Sequence, residues 1–436
     1  QREFALTVDQ FFGALSDMGS VDDLLSGLGD ADETGESTGD EVSAAADNEL
    51  VRLVNKIIVE AHQQGASDIH IEPRPGKGKT IIRFRKDGSL VNYIEIPASY
   101  RAALVTRLKI MCHLHIAEKR KPQDGKIKCK KYGPLDIELR VATIPTAGGV
   151  EDVVMRILAA GEPIKLDQLG LSPRNHENLI KCVEKPYGLF FVCGPTGSGK
   201  TTTLHSVLGY LNRPETKIWT AEDPVEITQK GLRQVQVNKK AGLDFATVMK
   251  AFLRADPDII MVGEMRDPET TGIGIEASLT GHLVFATLHT NSATESIIRL
   301  LDMGMDPFNF ADALLGILAQ RLVRVLCPKC KVEEWPDEEL IKASNLQGVD
   351  LGAYRFTAAR GCGHCRGTGY RGRKAIAEIV ILNDEIREMI VDRVPSRVIR
   401  EAAHKSGTRF LRESALDLVR SGDTSLKEIN RVTFVS

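Results

Sequence analysis

No apolar run in this 436-residue chain is long enough to cross a bilayer: stretches such as 188–193 and 259–262 fall far short of the ~20 residues required. The first residues lack a basic segment followed by an apolar core, so no export leader is expected and the chain reads as cytoplasmic. Aromatic residues make up only 5%, and no basic stretch is interleaved with them to stack bases, which argues against a nucleic-acid translocase. Basic residues are missing altogether between Glu3 and Val51, where 13 Asp and Glu occur. The remainder carries 57 basic and 46 acidic side chains, the 59 acids of the whole chain less those 13. That modest surplus suits phosphate binding better than nucleic acid. No repeat at solenoid spacing is visible. What is present, 42% apolar and 27% charged residues, is the balance of a globular protein too long for one core, so two or three domains are expected.

Residues 27–47 are rich in Gly, Ser, Asp and Glu, and 1–47 is expected to be a flexible acidic segment, with a possible short helix at 8–28. From Leu50, Leu53, Val54, Ile57, Ile58 and Ala61 follow helical spacing. Short alternating runs come next at 68–72, 80–85 and 90–94, with a turn at Asp87-Gly88, then a helix at 99–114 and further strands up to 157. Residues 48–160 therefore read as a small α+β domain, and 161–186 as an interdomain linker. Beyond 187 continuous apolar strands alternate with helices, the pattern of an α/β fold with a buried parallel sheet. Its limits are placed at 187–326, followed by a cysteine module at 327–371 and a helical region at 372–436.

Gly194, Pro195, Thr196, Gly197, Ser198, Gly199, Lys200 and Thr201 match G-x-x-x-x-G-K-[ST] between an apolar strand and a helix, with Thr202 following. Glycines let backbone N–H groups turn in around a triphosphate, where the helix N-terminus adds its positive end. Lys200 is expected to reach the β- and γ-phosphates of ATP, and Thr201 to bind Mg²⁺. Glu264 ends an apolar strand at 258–262, and Glu222, Asp223 and Glu226 end another. Glu264 and Glu222 are the candidate metal-binding and water-orienting acids. His282 and His289 bracket the strand at 283–288, so either could approach the phosphates.

Cys327-Pro-Lys-Cys330 and Cys362-Gly-His-Cys365 form two Cys-x-x-Cys knuckles. With no export leader expected, these predict a closed structural Zn²⁺ site rather than disulfides, with His364 an alternative ligand that is expected to point outward. The other cysteines, 112, 129, 182 and 193, read as ordinary buried thiols.

Together these motifs resemble the secretion ATPases of type IV pilus assembly and type II secretion. The likeness runs from about 48 to 432 and rests on the phosphate loop, the Thr220–Glu226 acidic box, the segment 252–266, the histidine box 278–291, and Ser67–Pro73, 83–88 and 117–125. It implies a RecA-like core, a smaller PAS-like N-terminal domain closing over it about residues 161–170, and a homohexamer. It implies nucleotide held by Lys200, Thr201, Glu222, Glu264 and His289, with Arg107, Arg120 and Arg85 of the N-terminal domain completing the site. It further implies an inner-membrane platform protein as partner, with the ATPase peripheral to that membrane. The cysteine module favours an assembly or secretion motor over a retraction motor. The segment 233–238 looks more like the pilus branch, with type II secretion as the alternative. One departure stands out, Asp152 where the family usually has Lys, and the fuller N-terminal domain common in the family is not expected within residues 1–47. A nucleotide-gated scaffold with negligible turnover is the other rival, and the full set of acids speaks against it.

Overall fold

In the computed structural model, which describes residues 41–158 and 162–433, the first helix (α1, Glu41–Gln63) begins inside the stretch expected to be acidic linker. Ala44, Ala45 and Ala46 are strong helix formers, so helicity extends past the apolar stripe. The expected helix at 8–28 lies outside the described residues. Contacts divide the chain into two units, Gln1–Ala160 and Gly161–Ser436.

The first unit is a six-stranded antiparallel sheet built from β1 (Asp68–Glu72), β2 (Thr80–Lys86), β3 (Ser89–Ile96), β4 (Gln123–Lys128), β5 (Glu138–Thr146) and β6 (Val150–Leu158). The order is β3-β2-β1-β6-β5-β4. Asp87 and Gly88 both take positive φ, 48° and 83°, which matches the twist of the β2–β3 hairpin they close. Ile69 and Ile71 on β1 and Ile82 and Phe84 on β2 alternate inward against Leu53, Val54 and Ile57 of α1 and Leu104 and Leu108 of α2 (Arg101–Met111). One charged pair is sealed in this core. Lys109 Nζ lies 2.6 Å from Glu151, and their side chains are 1% and 4% exposed. Lys109 also donates to the carbonyl of Glu118 at 2.7 Å. Removing one partner strands a buried charge, so Lys109→Ala is expected to destabilise this unit by about 3 kcal/mol in urea unfolding. A loss below about 1 kcal/mol would show that the pair is not held dry.

The second unit opens with α3 (Pro173–Val183), in the stretch read as linker. Ser172 caps it through Asn175 N–H at 3.3 Å and Pro173 fills its first turn, a Ser-Pro start signal visible in the sequence. Leu166, Leu179, Cys182 and Val183 are buried against Phe190 and Val192, so this segment belongs to the core and not to a linker. The sheet comprises β7 (Gly188–Cys193), β8 (Ile218–Glu222), β9 (Arg233–Gln236), β10 (Ile259–Val262), β11 (Leu283–Leu288), β12 (Leu314–Leu326) and, after the short pair β13 (Val332–Glu333) and β14 (Thr357–Ala358), β15 (Tyr370–Ile381). Its order is β15-β12-β7-β11-β10-β8-β9. All strands run parallel except β15, which pairs antiparallel with β12. Both faces are buried: Leu189 and Phe191 of β7 point into one cluster and Phe190 and Val192 into the other.

The helices in chain order are α4 (Lys200–Leu211), α5 (Phe245–Phe252), α6 (Pro268–Leu279), α7 (Ala293–Asp302), α8 (Pro307–Ala313), α9 (Glu338–Ala343), α10 (Asp384–Val391), α11 (Ser396–Lys405), α12 (Leu411–Arg420) and α13 (Leu426–Val432). The region expected to be helical from 372 thus begins with the sheet's last strand. Its alternation escapes the sequence because residues 376–380 are buried on both sides. The cysteine module emerges between β12 and β15. Among the described residues no helix is long and apolar enough to cross a membrane.

Candidate functional site

Parallel pairing aligns the carboxyl ends of four strands: Cys193 pairs with Leu288, Val262 with Ala286, and Val262 with Ala221. The residues just beyond them therefore converge at one edge of the sheet, where open α/β sheets bind ligands. The phosphate loop joins β7 to α4, with Gly194, Gly197 and Gly199 at φ 150°, 78° and 88°. At Gly194 a Cβ would fall 2.5 Å from the Gln320 carbonyl and 2.6 Å from Ser198 Oγ, so no side chain fits. Gln320, on β12, donates to the Ser198 carbonyl at 2.7 Å and accepts from Thr203 Oγ1 at 2.8 Å. This buried glutamine ties the loop and its helix to the neighbouring strand, and no local sequence pattern points to it.

Lys200 folds over the loop and donates to the carbonyls of Gly194 at 2.8 Å and Pro195 at 3.1 Å. Burial lowers its pKa, while Glu264, Cys193 and Glu226 oppose that shift. A cavity beside it is lined by Thr201, Glu222, Asp223, Glu226, Gly263, Glu264 and Thr287. Gly263 lets this wall close up, since its Cβ would sit 3.1 Å from the Ala221 carbonyl. Glu264 is gripped by the Arg266 guanidinium on both oxygens, and His289 Nε2 lies 3.4 Å from its Oε2. Burial and the Lys200 ammonium hold His289 below the usual histidine range, so the neutral ring offers Nε2–H to Glu264. His282 sits at the other end of β11, bonded to Ala277 O at 2.9 Å, and stays away from the loop. Glu222 is 3% exposed and fully engaged by His205, Thr220 and Gln234. Arg266 and His205 carry no sequence signal of their own; only the fold sets them on these acids.

The three candidate arginines lie in the first unit. Arg85 on β2 donates to Gly88 O at 3.0 Å. Arg107 on α2 stacks over Tyr132 at 5.8 Å. Arg120 is exposed and pairs with Glu118 at 3.1 Å, and those hydrogen bonds hold the Glu118 carboxyl down at about 2. Asp152 sits on β6, where burial and Glu72 raise its pKa.

The four cysteines Cys327, Cys330, Cys362 and Cys365 gather with all Sγ atoms within 4.8 Å of one another. Neighbouring sulfurs lie 3.7, 3.8 and 3.9 Å apart. Zn–S bonds of about 2.3 Å in a tetrahedron require about 3.8 Å, so the donor set fits a closed zinc centre. Burial disfavours a Cys365 thiolate, but the amides of Cys362 at 3.1 Å and Gly369 at 3.2 Å, together with hydrogen bonds from the Cys330 and Cys362 thiols, draw the thiol down to about 6. His364 is exposed, as expected, but one edge of its ring faces the cysteines. Its Nδ1 lies 3.4 Å from Cys327 Sγ, and Arg371 donates to Nε2, which leaves Nδ1–H as the donor to sulfur.

Comparison with known proteins finds relatives in both sequence and fold. The family described as type II/IV secretion system protein matches residues 43–431. The type IV pilus assembly ATPase PilB of Thermus thermophilus is 46% identical over 379 residues, which cover 87% of this chain and 42% of that protein. This chain thus spans less than half the length of that relative. The type II secretion system protein HxcR of Pseudomonas aeruginosa is 46% identical over 387 residues, 88% of this chain and 77% of that protein. A crystal structure of the pilus retraction motor PilT with bound ADP superposes with a TM-score of 0.60 at 25% identity, covering 87% of this chain and 96% of that one.

Proposed function

The chain belongs to the type II/IV secretion system protein family, with the α/β architecture of RecA-like secretion ATPases, and we propose that it hydrolyses ATP to drive type IV pilus assembly. The observation that carries the reading is the convergence of Thr201, Glu264 and Glu222 on one cavity at the carboxyl edge of the sheet, beside the loop over which Lys200 folds. ATP phosphates would be cradled by residues 194–202, and Lys200 would exchange the loop carbonyls for the β- and γ-phosphates. Thr201 and Glu264 would hold Mg²⁺, which neutralises the charge developing on the transferred group. Glu264, steadied by Arg266 and His289, and Glu222 would orient the attacking water. Arg85, Arg107 and Arg120 would add positive charge at the γ-phosphate as the N-terminal unit closes, and reopening after hydrolysis would deliver the stroke. Arg120 would leave Glu118 to do so. In the cysteine centre Cys327, Cys330, Cys362 and Cys365 would hold Zn²⁺ as a structural clip, with no open position for catalysis.

The assembly in this reading is a homohexamer, peripheral at the inner membrane through a platform protein. The relation to PilB and the segment 233–238 favour the pilus branch. The equal identity to HxcR keeps type II secretion as the second reading. Steady-state ATPase assays separate these possibilities when run alone, with single- and double-stranded DNA, and with the cytoplasmic parts of a pilus and a type II platform protein. Stimulation by the pilus fragment alone is the expected result. Stimulation by the type II fragment would move the chain to that branch, and stimulation by DNA alone would make it a translocase.

A further inference from the structure

His205 lies five residues beyond Lys200 on α4 and is fully buried. Its Nε2 is 3.1 Å from Glu222 Oε2. The other oxygen of Glu222 accepts from Thr220 Oγ1 at 2.6 Å and Gln234 Nε2 at 3.0 Å. Three donors from α4, β8 and β9 thus converge on one buried carboxylate lining the cavity. His205 Nδ1 is buried without a hydrogen-bond partner among the described residues. A carboxylate can only accept, so the ring proton is assigned to Nε2 and the bare lone pair to Nδ1, less costly than a stranded N–H. The helix that carries Lys200 and Thr201 at its start therefore also grips the acid across the cavity.

We infer that His205 is a positioning residue for ATP hydrolysis: its Nε2–H aims Glu222 and locks that acid to the phosphate-loop helix. The inference rests on the ATPase reading above. A merely structural histidine would matter for folding and not for the hydrogen bond it donates.

The side chains to compare are leucine and glutamine at this position. His205→Leu keeps the volume and removes the donor, whereas the amide nitrogen of His205→Gln reaches about where Nε2 stands. In steady-state assays His205→Leu is expected to lower kcat about 30-fold, within the 10–100-fold range for such supporting contacts, with KM for ATP within about twofold. His205→Gln is expected to recover most of that loss. In a Glu222→Gln background His205→Leu should add little. Equal losses in the glutamine and leucine chains, or a folded leucine chain with wild-type kcat, would overturn the inference. If the leucine chain does not fold, His205→Asn makes the same distinction, since its shorter amide falls at Nδ1 and cannot reach Glu222. Wild type and Lys200→Ala run alongside. A silent wild type, or a Lys200→Ala chain as active as wild type, would fail the ATPase reading itself.

Discussion

Lys200→Ala is expected to lower ATP turnover by at least about 10³-fold while leaving the protein folded. The ammonium sits over the loop within hydrogen-bond distance of two carbonyls and is drawn toward Glu264 and Glu226. It is the positive side chain that the fold holds inside the loop, where charge on the transferred phosphoryl group must be met by preorganised donors. Removing one such donor in a screened site costs about 10²–10³ in rate, and a full positive charge costs more. The alanine chain should keep its melting temperature within a few degrees, because Gln320 and not Lys200 ties the loop to β12. Phosphate release, with circular dichroism as the folding check, measures this. Activity within tenfold of wild type would mean that chemistry occurs elsewhere.

Cys362→Ser should reduce bound zinc from about one ion per chain to almost none and melt the module between β12 and β15. Four thiolates at tetrahedral spacing leave no spare ligand, and structural zinc contributes about 10–16 kcal/mol to the folding of small modules that depend on it. Leu346, Tyr354 and Phe356 anchor the far part of the module in the main core, so the melting should centre on the knuckles and on β13 and β14, which are two residues each. The sheet itself should survive, because β12 and β15 pair along most of their length without the metal. His364→Ala is the matched control and should keep its zinc, since His364 serves the site as a donor to Cys327. Metal content per chain decides the matter. An undiminished zinc content in Cys362→Ser would refute the four-thiolate centre.

The phosphate loop, its strand and its helix were legible because every determinant lies within 24 consecutive residues: the apolar run 188–193, the glycines, and the Lys-Thr pair opening α4. The cysteine knuckles were legible for the same reason, since each pair sets its own geometry three residues apart. Helix α3 was signalled by Ser172-Pro173 and passed over because the surrounding residues are polar. Strand β15 could not be told from a helix, since burial on both faces erases the alternation that marks a strand.

By itself the sequence determined the phosphate-loop motif, the acids at the strand ends, the four-cysteine set and the change from an α+β to an α/β pattern, all of which rest on short-range spacing and local periodicity. Only the tertiary structure decided which groups serve those residues. Gln320 reaches the loop from 122 positions away, and Arg266 and His289 share Glu264. His205 meets Glu222 across 17 positions because α4 packs over the parallel strands. The physical reason is that a supporting hydrogen bond depends on two side chains meeting in space, and their separation along the chain leaves no periodic trace.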